Sequence, residues 1–126
     1  MADVAIDTAS TLFVRLFALS REAHDARHHE VAFHALSAAC HAAEDARSLD
    51  ELVDVEREAQ AQISWIDENV PTHRLATVAA GRRGHPGLFT MLARRAGARA
   101  RLVVLADQIE GRAAALRIPL LPPLPG

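Results

Sequence analysis

Apolar residues recur along this chain at intervals of three and four, the spacing that lines one face of a helix. In the first segment Leu12, Leu16, Leu19 and Ala23 repeat in this way beside Phe13 and Phe17. With Asp7 or Thr8 as cap, they predict a helix from about Asp7 to His24. A second helix is predicted from His29 to Asp45, where Val31, Ala32, Ala35, Leu36, Ala39, Cys40, Ala42 and Ala43 spread over most of the helical wheel. A helix apolar over so wide an arc is the most enclosed of its bundle. The third opens at Ser48, with Glu51 three residues on as in a capping box, buries Leu49, Leu52, Ala59, Ile63 and Ile66, and stops at Asn69 before Pro71.

The pattern then breaks. Pro71, Gly81, Gly84, Pro86 and Gly87 bracket a short helix from His73 to Ala80. From Gly87 to Leu116 the helical spacing resumes through Leu88, Leu92, Leu102, Leu105, Ile109 and Leu116. At its ordinary rise such a helix is about 45 Å long, against about 30 Å or less for the earlier ones. It therefore bends near Gly97 or overhangs its neighbours, and an overhanging apolar end invites a second copy of the chain. A homodimer is the expectation.

Asp25-Ala26-Arg27 and Asp45-Ala46-Arg47 stand twenty positions apart, each before a new helical pattern. Both read as tight turns of αα-hairpins, which makes the first three helices successive neighbours. No stretch alternates as a strand does. The fold class is thus all-α: an antiparallel four-helix bundle of the helical-hairpin type, with a short extra helix or loop between the third and fourth helices. Residues 1–118 form one domain, followed by a Pro-rich tail over residues 119–126 with P-x-x-P spacings at Pro119/Pro122 and Pro122/Pro125. The tail is read as extended or polyproline II, lying in an apolar groove of its own bundle or docking on a partner.

Composition adds to this picture in three ways. Among 126 residues half are hydrophobic, largely alanine, while aromatics are few and tyrosine is absent, which favours closely approaching helices. All 14 basic residues are arginine, the usage of a GC-rich, bacterial-like genome. Cys40 is the sole cysteine, which excludes an internal disulfide or a multi-cysteine metal site and suits a reducing, cytoplasmic location. Arg15 interrupts the run from Leu12 to Leu19, and no segment reaches the roughly 20 apolar residues of a membrane span.

Charge is sorted along the chain. Residues 1–70 carry five arginines against 14 acids, a balance of −9, and residues 71–126 carry nine arginines against Asp107 and Glu110, a balance of +7. A basic half can bind nucleic acid through phosphates, here Arg74, Arg82, Arg83, Arg94, Arg95, Arg99 and Arg101. The acidic half would repel a polyanion, and Phe89 alone offers a stacking surface near the cluster. Neutralisation of one half by the other, within the fold or across a dimer, is the favoured reading.

Two groups of residues interrupt the apolar pattern with chemistry. Glu30, His34, His41 and Glu44 share one stripe of the second helix, each histidine one turn from a carboxylate. That spacing suits a divalent metal such as zinc, and it equally suits a solvated stripe of charge pairs, which is preferred here. The loop from Gly81 to Gly87 offers Arg82, Arg83 and His85, with Arg94 beyond it, as an anion site built on free backbone N–H groups. It lacks the Gly-Lys-Ser/Thr ending of a P-loop. His24 and His28 have H-x-x-x-H spacing, but Asp25 stands where a zincin needs glutamate, and the pair is read as part of a surface turn. Cys40 is expected to be buried and inert, and Trp65 to be core or groove wall. No catalytic set stands out. The function expected is that of a small helical interaction or adaptor protein acting on a protein partner or on itself, with metal or small-ligand binding through the stripe, and anion or nucleic-acid binding through the arginine loop, as alternatives.

Overall fold

The computed structural model describes residues 3–116, and five helices account for most of them. They are α1 (Asp3–Asp25), α2 (His29–Ala46), α3 (Leu49–Asn69), the short α4 (Thr77–Arg82) and α5 (Leu88–Ala115). Among the described residues there is no strand. The Pro-rich tail falls outside the described residues, as do the two residues before α1.

The two Asp-Ala-Arg turns are the same structure twice. Arg27 and Arg47 both have positive φ, 67° and 50°. At the first turn the His28 N–H donates to the Ala23 carbonyl and the Arg27 N–H to that of His24. At the second, the Ser48 N–H donates to Ala43 and the Arg47 N–H to Glu44, at the same offsets. This is the Schellman termination, which reverses the chain within three residues and satisfies the last carbonyls. It also shows why the capping box after α2 is only half formed. Ser48 Oγ accepts from the Glu51 N–H at 3.3 Å, but the Ser48 N–H is already held by Ala43 and leaves the Glu51 side chain nothing to bond there.

Alanine sets the packing. Ala32, Ala35, Ala39, Ala43, Ala59, Ala93, Ala96 and Ala100 are buried, and the larger side chains Leu36, Leu52, Val55, Ile66 and Phe89 fill the space between them. α1 lies along α2 and α3 along α5, with α2 joining the two pairs. α1 and α5 share no contact among the described residues, and an open cleft lined by Phe13, Val14, Phe17 and Arg21 of α1 and Asp54 of α3 lies on one side of the fold. Two fully buried polar side chains bridge the helices. Gln62 Nε2 donates to Ser20 Oγ at 3.0 Å, and Ser20 Oγ donates to the Ala32 carbonyl at 2.7 Å.

Two boundaries differ from the sequence expectation. α1 starts at Asp3 rather than Asp7. The short helix runs over Thr77–Arg82 instead of His73–Ala80, because Asp67, at the end of α3, caps it from a distance. The Thr77 N–H donates to Asp67 Oδ1 at 2.8 Å and its hydroxyl to Oδ2 at 2.6 Å. The residues before it, 71–76, form turns in which the Leu75 N–H donates to His73 Nδ1.

α5 is continuous through Gly97 over 28 residues. Its last buried residue is Ala100, and Val103 is the last to pack against the core cluster. The helix beyond that point extends about 18 Å at its ordinary rise. Of the two outcomes considered for this helix, it overhangs.

Candidate functional site

The His/Glu stripe of α2 is a surface, and arginines hold its carboxylates. His34 and His41 are exposed. Glu44 is nearly covered, with 12% of its side chain exposed, and two guanidiniums from α5 cover it. Arg95 donates from Nη2 to Oε1 at 2.8 Å and from Nε to Oε2 at 3.1 Å, while Arg99 Nε stands 3.0 Å from Oε2. His41 Nδ1 is 3.6 Å from Oε1. At the other end, Glu30 Oε1 accepts from Arg74 Nε at 2.7 Å and lies 3.8 Å from His73 Nε2. The Arg74 hydrogen bond is the main reason the Glu30 carboxyl sits below its usual range. Among the described residues no three His, Cys, Asp or Glu side chains stand where one metal ion would join them. The sorted charge of the sequence is met by these pairings of Glu30 and Glu44 with arginines of the basic half, while Arg21, 3.8 Å from Glu58, pairs within the acidic half.

Within the loop before α5 the backbone N–H groups are taken up by the fold, although the start of α5 at Gly87 has no side-chain cap. The N–H groups of Arg83 and His85 both donate to the Ala80 carbonyl, and that of Gly84 to Gly81. The Gly87 N–H donates to His85 Nδ1 at 2.9 Å. Pro86 has none to offer. Of the four residues singled out there, Arg82 is exposed at the end of α4, Arg83 Nη2 donates to the Arg74 carbonyl at 3.0 Å, His85 accepts from the Gly87 N–H, and Arg94 lines a separate cleft with Glu56 and Gln60.

A cluster that the sequence did not reveal closes one end of the fold. His24 ends α1, His29 opens α2, Trp65 lies near the end of α3 and His73 comes from the following turn. Ring centroids separate His24 from His29 by 5.3 Å, His29 from His73 by 5.2 Å, and both His24 and His29 from Trp65 by 5.2 and 5.5 Å. Arg27 stacks its guanidinium 3.9 Å above the indole. His29 is buried, and the Nδ1 atoms of His24 and His29 have no hydrogen-bond partner. Burial holds both imidazoles below their ordinary pKa, and Arg27 pushes the same way in each. The reading of His24 and His28 as part of a surface turn holds for His28, which is exposed, and fails for His24, whose ring packs on His29 and Trp65. The partner rings arrive from α3 and from a turn more than forty residues away, beyond any local pattern.

Cys40 is 1% exposed, and burial raises its thiol to about 11. A group so protonated is not a nucleophile at neutral pH.

The end of α5 leaves a row of apolar side chains open to water. Leu102, Leu105, Ile109 and Leu116 are each 50–59% exposed. At 100° per residue they fall within an arc of about 60°, so they form one straight seam. The charged residues from 101 to 116 are Arg101, Asp107, Glu110 and Arg112, a balance of zero. No helix of the described residues is long and apolar enough to cross a membrane. Comparison with protein-family models, with curated proteins and with solved structures finds no match.

Proposed function

We propose that this chain is a small helical interaction module, with α1, α2, α3 and α5 as an open antiparallel four-helix bundle, and that it works as a homodimer joined through the overhanging end of α5. The observation that carries this is the seam itself. A helix that leaves its own core yet keeps apolar residues at helical spacing has a face suited to another helix. Four half-exposed aliphatic side chains, with Ala106 and Ala113 between them, offer on the order of 500 Å² per copy, which puts a dimer near the lower limit of about 1,000 Å² for a specific interface. The zero charge balance of the segment removes repulsion between two copies, and an all-aliphatic seam can pack against its own copy, as a two-fold interface requires.

The double substitution Leu105→Asp/Ile109→Asp tests the reading. Both positions are exposed and outside the core, so the variant keeps its helical circular dichroism. Sedimentation equilibrium is expected to show the wild type as a dimer and this variant as a monomer. A variant that associates as the wild type does would overturn the assignment.

A further inference from the structure

A cavity of about 290 Å³ lies where α2, the turn before α4, the end of α4 and the start of α5 meet. Its apolar lining is Phe33, Leu75 and Leu88, and its polar lining is Glu30, His34, Arg74 and Arg83. Phe33 is fixed from behind by Phe89, whose ring meets it edge-on at 5.4 Å. Glu30 and the two arginines are also anchored. Arg74 is bound to Glu30, so these two cancel in charge, and the hydrogen bond from Arg83 Nη2 to the Arg74 carbonyl anchors the second guanidinium. Among the described residues no carboxylate pairs with Arg83.

The cavity thus presents one uncompensated guanidinium, an imidazole at the side and an apolar wall. We propose that it binds a small monocarboxylate with an apolar body of roughly ring size. Two features set that class. A single net positive charge matches one negative charge, whereas a dianion would meet Glu30. The volume is about twice that of a cavity that holds benzene, which leaves space for a ring and a short carboxylate arm. Arg83 would grip the carboxylate through the N–H groups not used on Arg74, the geometry in which arginine binds carboxylates best. The apolar wall would cover the body. This site is independent of the α5 seam.

The test uses 3-phenylpropionate as the probe, its neutral counterpart 3-phenylpropanamide, and inorganic phosphate, each titrated into the whole protein and followed by amide resonances. Saturable binding of 3-phenylpropionate is expected, with the largest shifts at Leu75, Arg83 and Leu88. The amide and phosphate are expected to bind about tenfold more weakly or worse, one lacking the charge and the other the body. Arg83→Gln should weaken the carboxylate by about tenfold, while Arg94→Gln, which faces a different cleft, should leave it unchanged. No saturation by about 10 mM, the weak end of useful affinity, would refute the site. So would equal binding of the amide or of phosphate, or an unchanged affinity in a folded Arg83→Gln protein.

Discussion

Replacing Glu44 by glutamine tests how much the pairing of acidic and basic halves contributes to the fold. The substitution keeps shape and removes the charge that faces Arg95 and Arg99. The Glu44 carboxylate is almost covered, but Arg95 and Arg99 are 47% and 56% exposed, so water screens them. A charge-assisted hydrogen bond contributes about 1.5–3 kcal/mol where solvent is excluded, and an exposed ion pair about 0–1 kcal/mol. With one partner covered and two half-exposed, Glu44→Gln should cost about 1–2 kcal/mol. Glu44 also lies in the last turn of α2, where a carboxylate meets the negative end of the helix dipole, so the arginines offset a local penalty as well. The coupling between Glu44 and Arg95, which make two parallel bonds, should be about 1 kcal/mol in a double-mutant cycle, larger than that with Arg99. Urea unfolding followed by circular dichroism and Trp65 fluorescence, at one protein concentration, measures each corner of the cycle. Raising the salt to about 0.5 M should reduce the coupling. A coupling within about 0.3 kcal/mol of zero, or one indifferent to salt, would show that α5 is held to α2 by apolar packing alone.

Three further outcomes are expected. Burial depresses the pKa of His24 and His29 in the folded state, so the unfolded chain takes up protons first as the pH falls below about 6.5, the ordinary histidine value. Stability should therefore be level above that pH and decline below it until the folded-state pKa values are reached. Urea midpoints measured from pH 8 to 5 would show this slope, and His29→Phe should flatten it. Arg47→Gly should stabilise the fold by about 0.5–1 kcal/mol, since glycine takes the left-handed conformation without strain, and thermal unfolding reads the shift. Arg27→Gly should gain less, because it gives up the stacking on Trp65. Cys40 should resist a disulfide reagent at pH 8 in the folded protein and react at once in denaturant; rapid native labelling would contradict its burial.

The helices were legible because their signals are local. Apolar spacing located α2, α3 and α5, and the two Asp-Ala-Arg tripeptides announced turns that proved identical in hydrogen bonding. The α4 boundary was not legible, because its cap is Asp67 across a turn of ten residues. At the candidate sites the same division holds. The stripe of α2 could be drawn on a wheel, but its carboxylates are claimed by Arg74, Arg95 and Arg99, whose reach depends on tertiary packing. The arginine loop looked open because glycine-rich backbone often leaves its N–H groups free, and only the observed bonds to Ala80, Gly81 and His85 show them used. The His24, His29, His73 and Trp65 cluster combines four segments of the chain. No spacing rule joins them.

The most direct test of the account is the molar mass of the wild-type protein by light scattering as it is diluted from about 500 to about 5 μM, the range in which an interface of this size should begin to dissociate. A dimer gives twice the 13.6 kDa chain mass at the concentrated end and a fall towards one chain on dilution, with Leu105→Asp/Ile109→Asp at the single-chain mass throughout. A wild-type mass of one chain at every concentration would contradict it, and the end of α5 would then not join two copies.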